Sequence, residues 1–193
     1  MATIREGNRP VLIVVDVQVG VMAEAWESAR VIGNIARAVA RARAEGVPVV
    51  WVQHGDADLP FGSPAWQWVP ALVPAAGEAL IHKGFNSAFE QTGLEAELER
   101  LAATHVVLAG ASTNGCIRAT ASAALERGYD LTLLGDAHST RATPLEDGRS
   151  IAAADLVNDL NIAMQWLAYP GRRNATATAA TVDFTQPGGA PPA

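Results

Sequence analysis

Val106-Val107-Leu108-Ala109-Gly110-Ala111-Ser112-Thr113-Asn114-Gly115-Cys116-Ile117-Arg118 joins an apolar run, a turn of small polar residues and the start of a helical pattern. The run at 105–110 reads as a strand buried on both faces, and 116–127 as a helix with Ile117, Ala121, Ala124 and Leu125 inward. A strand, a tight turn and a helix bring backbone N–H groups and the positive end of the helix dipole beside one side chain. That side chain is Cys116, the only cysteine of the chain. A thiol so placed is expected to shift toward thiolate, the form that attacks carbon.

Outward from this stretch the same alternation repeats. Residues 11–15 are Val-Leu-Ile-Val-Val, a second two-sided buried strand, ending at Asp16-Val17-Gln18. In 28–45 the stripe Ile32, Ile35, Ala36, Val39 and Ala40 has helical period, with Arg30, Asn34, Arg37 and Arg41 opposite. Gly46 and Pro48 stop it, and 47–53 is a strand ending at His54. Strand, helix and buried strand make a βαβ unit with a parallel sheet and a right-handed crossover. Residues 79–82 read as a short strand running into Lys83, 93–103 as a helix, and 129–134 as a fifth strand before Gly135-Asp136-Ala137-His138. The stretch 145–169 reads as helix, broken or continuous, and Thr181-Val182-Asp183-Phe184 as a sixth strand. The fold expected is α/β: a doubly wound, mostly parallel six-stranded sheet flanked by helices. One domain over 1–184 is expected, with a flexible Pro/Gly/Ala tail at 185–193.

Composition narrows the function. The chain has 193 residues, 49% hydrophobic and 18% charged, which suits one globular domain with a substantial core. A formal charge of −6 argues against a nucleic-acid partner, which needs clustered Lys and Arg. The arginines at 30, 37, 41 and 43 fall at helical spacing among alanines and read as a solvated face. No apolar run approaches the ~18–20 residues of a membrane span. Residues 1–10 carry no leader pattern, and one cysteine forms no internal disulfide, so a cytoplasmic location is expected. The long stretch 54–77 holds four prolines, three glycines, Trp66 and Trp68, and reads as a lid or pocket wall.

Asp16, Lys83 and Cys116 all stand at or just beyond the carboxyl ends of strands, the side of a parallel sheet where sites are built. The division of labour is then direct. Cys116 attacks an electrophilic carbon, Asp16 takes the thiol proton and returns it to a leaving amine, and Lys83 supplies positive charge to both. Backbone N–H groups in the 112–116 turn are placed to receive an oxyanion. Gln18, His54, Trp66, Thr113 and Asn114 are the candidate substrate contacts. His105 begins a strand and reads as structural. His54-Gly55-Asp56-Ala57-Asp58 has metal-ligand residue types but only one histidine, so neither a metal nor any other cofactor is expected.

Asp16-Val17-Gln18, Lys83 with Asn86-Ser87-Ala88-Phe89, the run from Gly110 through Cys116 to Thr120, Gly128-Tyr129 and Gly135-Asp136-Ala137 together resemble the isochorismatase-like cysteine hydrolases. The resemblance spans roughly residues 9–140. It implies an Asp16–Lys83–Cys116 triad, a cis peptide before Ser112, an oxyanion hole at Ser112 and Cys116, and a homo-oligomer. Trp51-Val52-Gln53-His54 with Gly62-Ser63-Pro64 and Trp66 is similar to the streptothricin-hydrolase-like branch, which opens a cyclic amide. The implied activity is metal-independent C–N hydrolysis of a small amide or lactam. Vinyl-ether cleavage with Asp16 as acid, which does not need the thiol, and a catalytically silent scaffold stand as alternatives.

Overall fold

A computed structural model of the chain describes residues 5–186. Its centre is a six-stranded sheet in the order β3-β2-β1-β4-β5-β8, every neighbouring pair parallel. The strands are β1 (Pro10–Val15), β2 (Val49–His54), β3 (Ala79–Lys83), β4 (His105–Ala111), β5 (Asp130–Ser139) and β8 (Asn174–Ala177). A two-stranded antiparallel hairpin, β6 (Thr143–Pro144) with β7 (Ser150–Ile151), stands apart from it. β1 and β4 lie side by side where the strand order reverses, the position at which open parallel sheets leave a crevice.

The continuous β-branched and leucine runs of β1, β2 and β4 are explained by burial on both faces. One face packs Val11, Ile13, Val15, Val50 and Val52 against Leu94 and Leu98 of α3 (Leu94–Arg100), Ala121 and Leu125 of α4 (Arg118–Glu126), and Leu160 and Met164 of α5 (Ala153–Trp166). The other packs Leu12, Val14, Val49 and Trp51 against Val31, Ile35, Ala38 and Ala42 of α2 (Ser28–Ala44). A short helix, α1 (Val19–Ala23), follows β1 and buries Met22. His105 is buried at the head of β4, bonded to Thr132 Oγ1 at 2.9 Å, and burial pulls its pKa down to about 4.

Three expectations are corrected by the structure. The fifth strand does not stop at 134 but runs on to Ser139 after an irregularity in its pairing with β4, so His138 lies opposite Gly110. The helix expected over 145–169 occupies only Ala153–Trp166, because the preceding residues form the β6–β7 turn. The sixth strand is Asn174–Ala177, not 181–184. Val182 and Phe184 are buried against the α2 face, with Arg41 donating to the carbonyls of Ala179, Ala180 and Val182. Their alternating apolar character reflects burial without strand pairing. Within the expected tail, Thr185 is held by Asp183 Oδ1, 2.7 Å from its N–H; residues 187–193 lie outside the described residues.

Gly110 is where the two central strands demand glycine. Its φ is +128°, and a Cβ there would sit 2.0 Å from the Val15 carbonyl oxygen. Neither strand can retreat, since both are pinned on two sides by neighbouring strands. Gly110→Ala is therefore expected to lower stability by at least about 4 kcal/mol, the range reserved for core backbone clashes. Thermal unfolding or soluble yield checks this; an unchanged melting temperature would contradict it.

Candidate active site

The sheet delivers three ionisable side chains to the crevice. Asp16 leaves β1 in the left-handed region, φ 52°, with its N–H bonded to the Val52 carbonyl at 2.8 Å. A non-glycine residue held in that conformation by its surroundings is a common mark of a working site. Lys83 ends β3, the edge strand, and reaches inward. Cys116 sits in a single π-helical turn, Thr113–Ile117, inserted between β4 and α4. Such turns recur at functional sites because they re-aim one side chain. The Ala111–Ser112 peptide bond that enters the turn is cis.

Lys83 Nζ lies 2.7 Å from Asp16 Oδ2, 3.2 Å from Cys116 Sγ, 3.1 Å from the Phe85 carbonyl and 3.2 Å from His54 Nδ1. The Lys83 and Asp16 side chains are only 0% and 2% exposed, so this pair is screened from water. Four acceptors surround an ammonium with three protons, and the thiol sulfur is the weakest of them. Asp16 Oδ1 has no conventional hydrogen-bond partner, although the thiol is a hydrogen-bonding neighbour of the carboxylate. Burial pushes the Asp16 carboxyl above its ordinary value, against the opposing pull of Lys83.

The resting thiol is not the thiolate expected from the sequence. Its pKa is pushed up to about 12, first by burial and then by the Asp16 charge, with Lys83 pulling the other way. The helix argument also shifts: α4 begins at Arg118, two residues past the cysteine, so Cys116 does not cap it. A thiol raised that far keeps its proton throughout the neutral range. Iodoacetamide is therefore expected to label Cys116, in the absence of substrate, at least ~10-fold more slowly at pH 7.5 than a free thiol, with the rate still climbing above pH 10. Labelling as fast as the free thiol would contradict this.

The five expected substrate contacts are distributed unevenly. Gln18 is fully buried: its Nε2 donates to the carbonyls of His54 and Trp66 at 2.9 Å each, and its Oε1 accepts from His54 N–H at 3.0 Å. It ties the end of β2 to the stretch that follows it. Thr113 is likewise fully buried, its hydroxyl 2.8 Å from His138 Nδ1. His54 has both ring nitrogens engaged, Nδ1 by Lys83 and Nε2 by Asp56 Oδ2 at 2.8 Å. Because Lys83 is a donor only, Nδ1 accepts and the proton resides on Nε2. Asn114 is exposed within the nucleophile turn, with Oδ1 accepting from Thr140 and Nδ2 donating to Thr143 of the hairpin. Trp66 packs on Phe61 and His82 and, with Gln53, Asp56 and Lys83, lines a cavity of about 340 Å³. Cys116 is not among the residues lining that cavity.

The stretch 54–77 is tied down as a wall. Val19 and Gly20 N–H groups donate to the carbonyls of Gln67 and Ala65, and Val69 N–H to Val17. Trp68 meets Trp51 edge to face at 5.3 Å. The sequence reading missed His138 and Asn161, which hold Thr113 from behind, and Thr120, whose hydroxyl accepts from Ala88 N–H at 3.0 Å and fixes the loop after Lys83. His138 was in view beside Gly135, but its contact depends on the irregularity in β5. Among the described residues no three His, Cys, Asp or Glu side chains are grouped to hold a metal ion, and no helix is long and apolar enough to cross a membrane.

The family model described as the Isochorismatase domain matches residues 10–161. A streptothricin hydrolase of Streptomyces noursei is 34% identical over 192 residues, covering 93% of this chain and 66% of its own. A maleamate amidohydrolase of Pseudomonas putida is 38% identical over 96 residues, 47% of this chain and 45% of that protein. The chain thus spans just under two thirds of the first relative and less than half of the second. A crystal structure of an isochorismatase from Pseudomonas putida superposes with a TM-score of 0.80 at 28% identity, covering 91% of each chain. One of a cysteine hydrolase from Pseudomonas syringae shares the fold, with a TM-score of 0.79 at 21% identity over 93% of each chain. With a family model matched across residues 10–161, most of the sheet, this chain belongs to the isochorismatase family.

Proposed function

We propose that the protein is a cysteine amidohydrolase that opens a C–N bond of a small amide or lactam through a thioester on Cys116. The observation that carries this reading is the cluster of buried Asp16 and Lys83 with half-buried Cys116, in which one ammonium lies within 3.2 Å of both the carboxylate and the sulfur. The thiol keeps its proton at rest. Attack is therefore coupled to proton transfer: Sγ bonds to the carbonyl carbon as the S–H proton passes to Asp16. Lys83 already donates to Asp16 and turns its weak bond with sulfur into a strong one as negative charge grows there. The carbonyl oxygen becomes an oxyanion, received by the N–H groups of Ser112, just before the π turn, and Cys116 within it. As the C–N bond breaks, Asp16 passes the proton to the leaving amine. Water then attacks the thioester, giving its proton to Asp16 and from there to the departing thiolate.

The amidohydrolase names of the relatives support this chemistry, and an intact Cys116 sets it apart from vinyl-ether cleavage, in which Asp16 alone would protonate the enol ether. A homo-oligomer in the cytoplasm is part of the same proposal. Amine release from a panel of small amides and lactams, run beside cleavage of isochorismate, tests the reading. C–N turnover with no vinyl-ether turnover is the expected result; the reverse would overturn it.

A further inference from the structure

Behind the nucleophile turn runs a chain of hydrogen bonds whose polarity can be read from one end to the other. Asn161 Nδ2 donates to the Gly135 carbonyl at 3.0 Å, which fixes its amide so that Oδ1 faces His138. His138 Nε2 lies 3.0 Å from that oxygen and must therefore carry the proton. His138 Nδ1 is then a bare acceptor, and the Thr113 hydroxyl, 2.8 Å away, donates to it. His138 and Thr113 are 1% and 0% exposed, so no water competes for these bonds. The far end of the chain is also fixed: a Cβ on Gly135 would lie 2.9 Å from Asn161 Oδ1, and only glycine leaves that amide in place. Burial holds the His138 imidazole below its ordinary pKa and so preserves the neutral ring that the chain requires.

Thr113 is the first residue of the π turn that carries Cys116, and it follows Ser112 directly. We propose that His138 is a positioning residue for this turn, holding it through Thr113 so that the Ser112 and Cys116 N–H groups meet the oxyanion of the thioester pathway. The inference rests on the amidohydrolase reading. It makes α5 and the irregular end of β5 part of the catalytic frame, although neither carries Asp16, Lys83 or Cys116.

The two ends of the imidazole can be tested separately. In His138→Asn the new Oδ1 stands near the place of Nδ1 and still accepts from Thr113. In His138→Gln a polar group is kept nearer Asn161 instead. Thr113→Val removes the donor while keeping the shape. Thr113→Val and His138→Gln are expected to lower kcat for amide release about 30-fold, with KM within about two-fold. His138→Asn is expected to recover most of that loss. Iodoacetamide alkylation at pH 9, which forms no oxyanion, should change less than about two-fold in all three. Unchanged kcat in Thr113→Val, or equal losses in His138→Asn and His138→Gln, would reduce the chain to ordinary packing and overturn the proposal. A ¹⁵N spectrum of the wild type provides a check independent of variant folding: protonated Nε2 is expected, and protonated Nδ1 would overturn the proposal. Failure of the wild type itself to release any amine would instead count against the amidohydrolase reading, and the proposal would fall with it.

Discussion

Replacing Cys116 by alanine is expected to lower amide turnover by at least about 10³-fold while leaving substrate affinity close to that of the wild type. The chemistry removes any substitute nucleophile: Asp16 is buried and occupied by Lys83, and no other thiol exists in the chain. Losing one member of a nucleophile–base unit removes nearly all that the unit contributes, because its members act together. Cys116→Ser is expected to fall almost as far. An oxygen of higher pKa would need to lose its proton in a pocket that already holds a thiol proton up to about 12. Steady-state amine release in the three proteins, with a melting curve for each, makes the measurement. The melting temperatures should differ little, since Cys116 is only partly buried at the margin of the core. Turnover surviving in Cys116→Ala would move the chemistry to Asp16.

The Asp16–Lys83 pair yields the second large effect, on stability as well as rate. Lys83→Met leaves a buried carboxylate without its counter-charge, and the loss is expected to be about 3–5 kcal/mol near pH 8 with activity reduced by at least about 10³-fold. Burial already raises the Asp16 pKa, and Lys83 is the largest influence opposing that rise. Without the lysine, Asp16 should retain its proton in the folded state well above 3.8. A carboxyl with a raised folded pKa is most favourable to folding below its unfolded pKa, and that contribution is lost as pH rises through the folded value. The stability deficit of Lys83→Met relative to wild type should therefore shrink from pH 8 toward pH 4. Asp16→Asn, which strands the lysine instead, should not share that trend. The double variant Asp16→Asn/Lys83→Met is expected to recover much of the stability and none of the activity. Urea unfolding at pH 4, 6 and 8 checks each point; equal deficits at all three pH values in Lys83→Met would show that the pair does not control the Asp16 proton.

How much was legible in the sequence depended on how local each cause was. The runs of β1, β2 and β4 are buried on both faces, and continuous Val, Ile and Leu report that directly. Asp16 and Lys83 were found because strand ends in a parallel sheet converge, whatever their separation along the chain. β8 was missed because Asn174-Ala175-Thr176-Ala177 has no apolar signature and exists through pairing with β5. Val182 and Phe184 misled in the opposite direction, apolar for burial without pairing. Gln18 and Thr113 looked like ligands for a substrate because polar residues at a crevice usually are. Their true partners are the Trp66 carbonyl and His138, 48 and 25 residues away. The thiol acidity was misjudged for the same reason: a dipole argument is local, whereas burial and the Asp16 charge arise only once the sheet has closed.

The central claim is that a carbonyl carbon becomes bonded to Cys116. Intact-mass spectrometry after rapid acid quench, with wild type and Cys116→Ala incubated with small amides and lactams that release amine, measures this directly. The expected result is a wild-type mass gain equal to the acyl part of the substrate, localised to the peptide containing Cys116 and absent from the alanine variant. Amine release by the wild type with no such adduct, at a rate the alanine variant shares, would contradict the account.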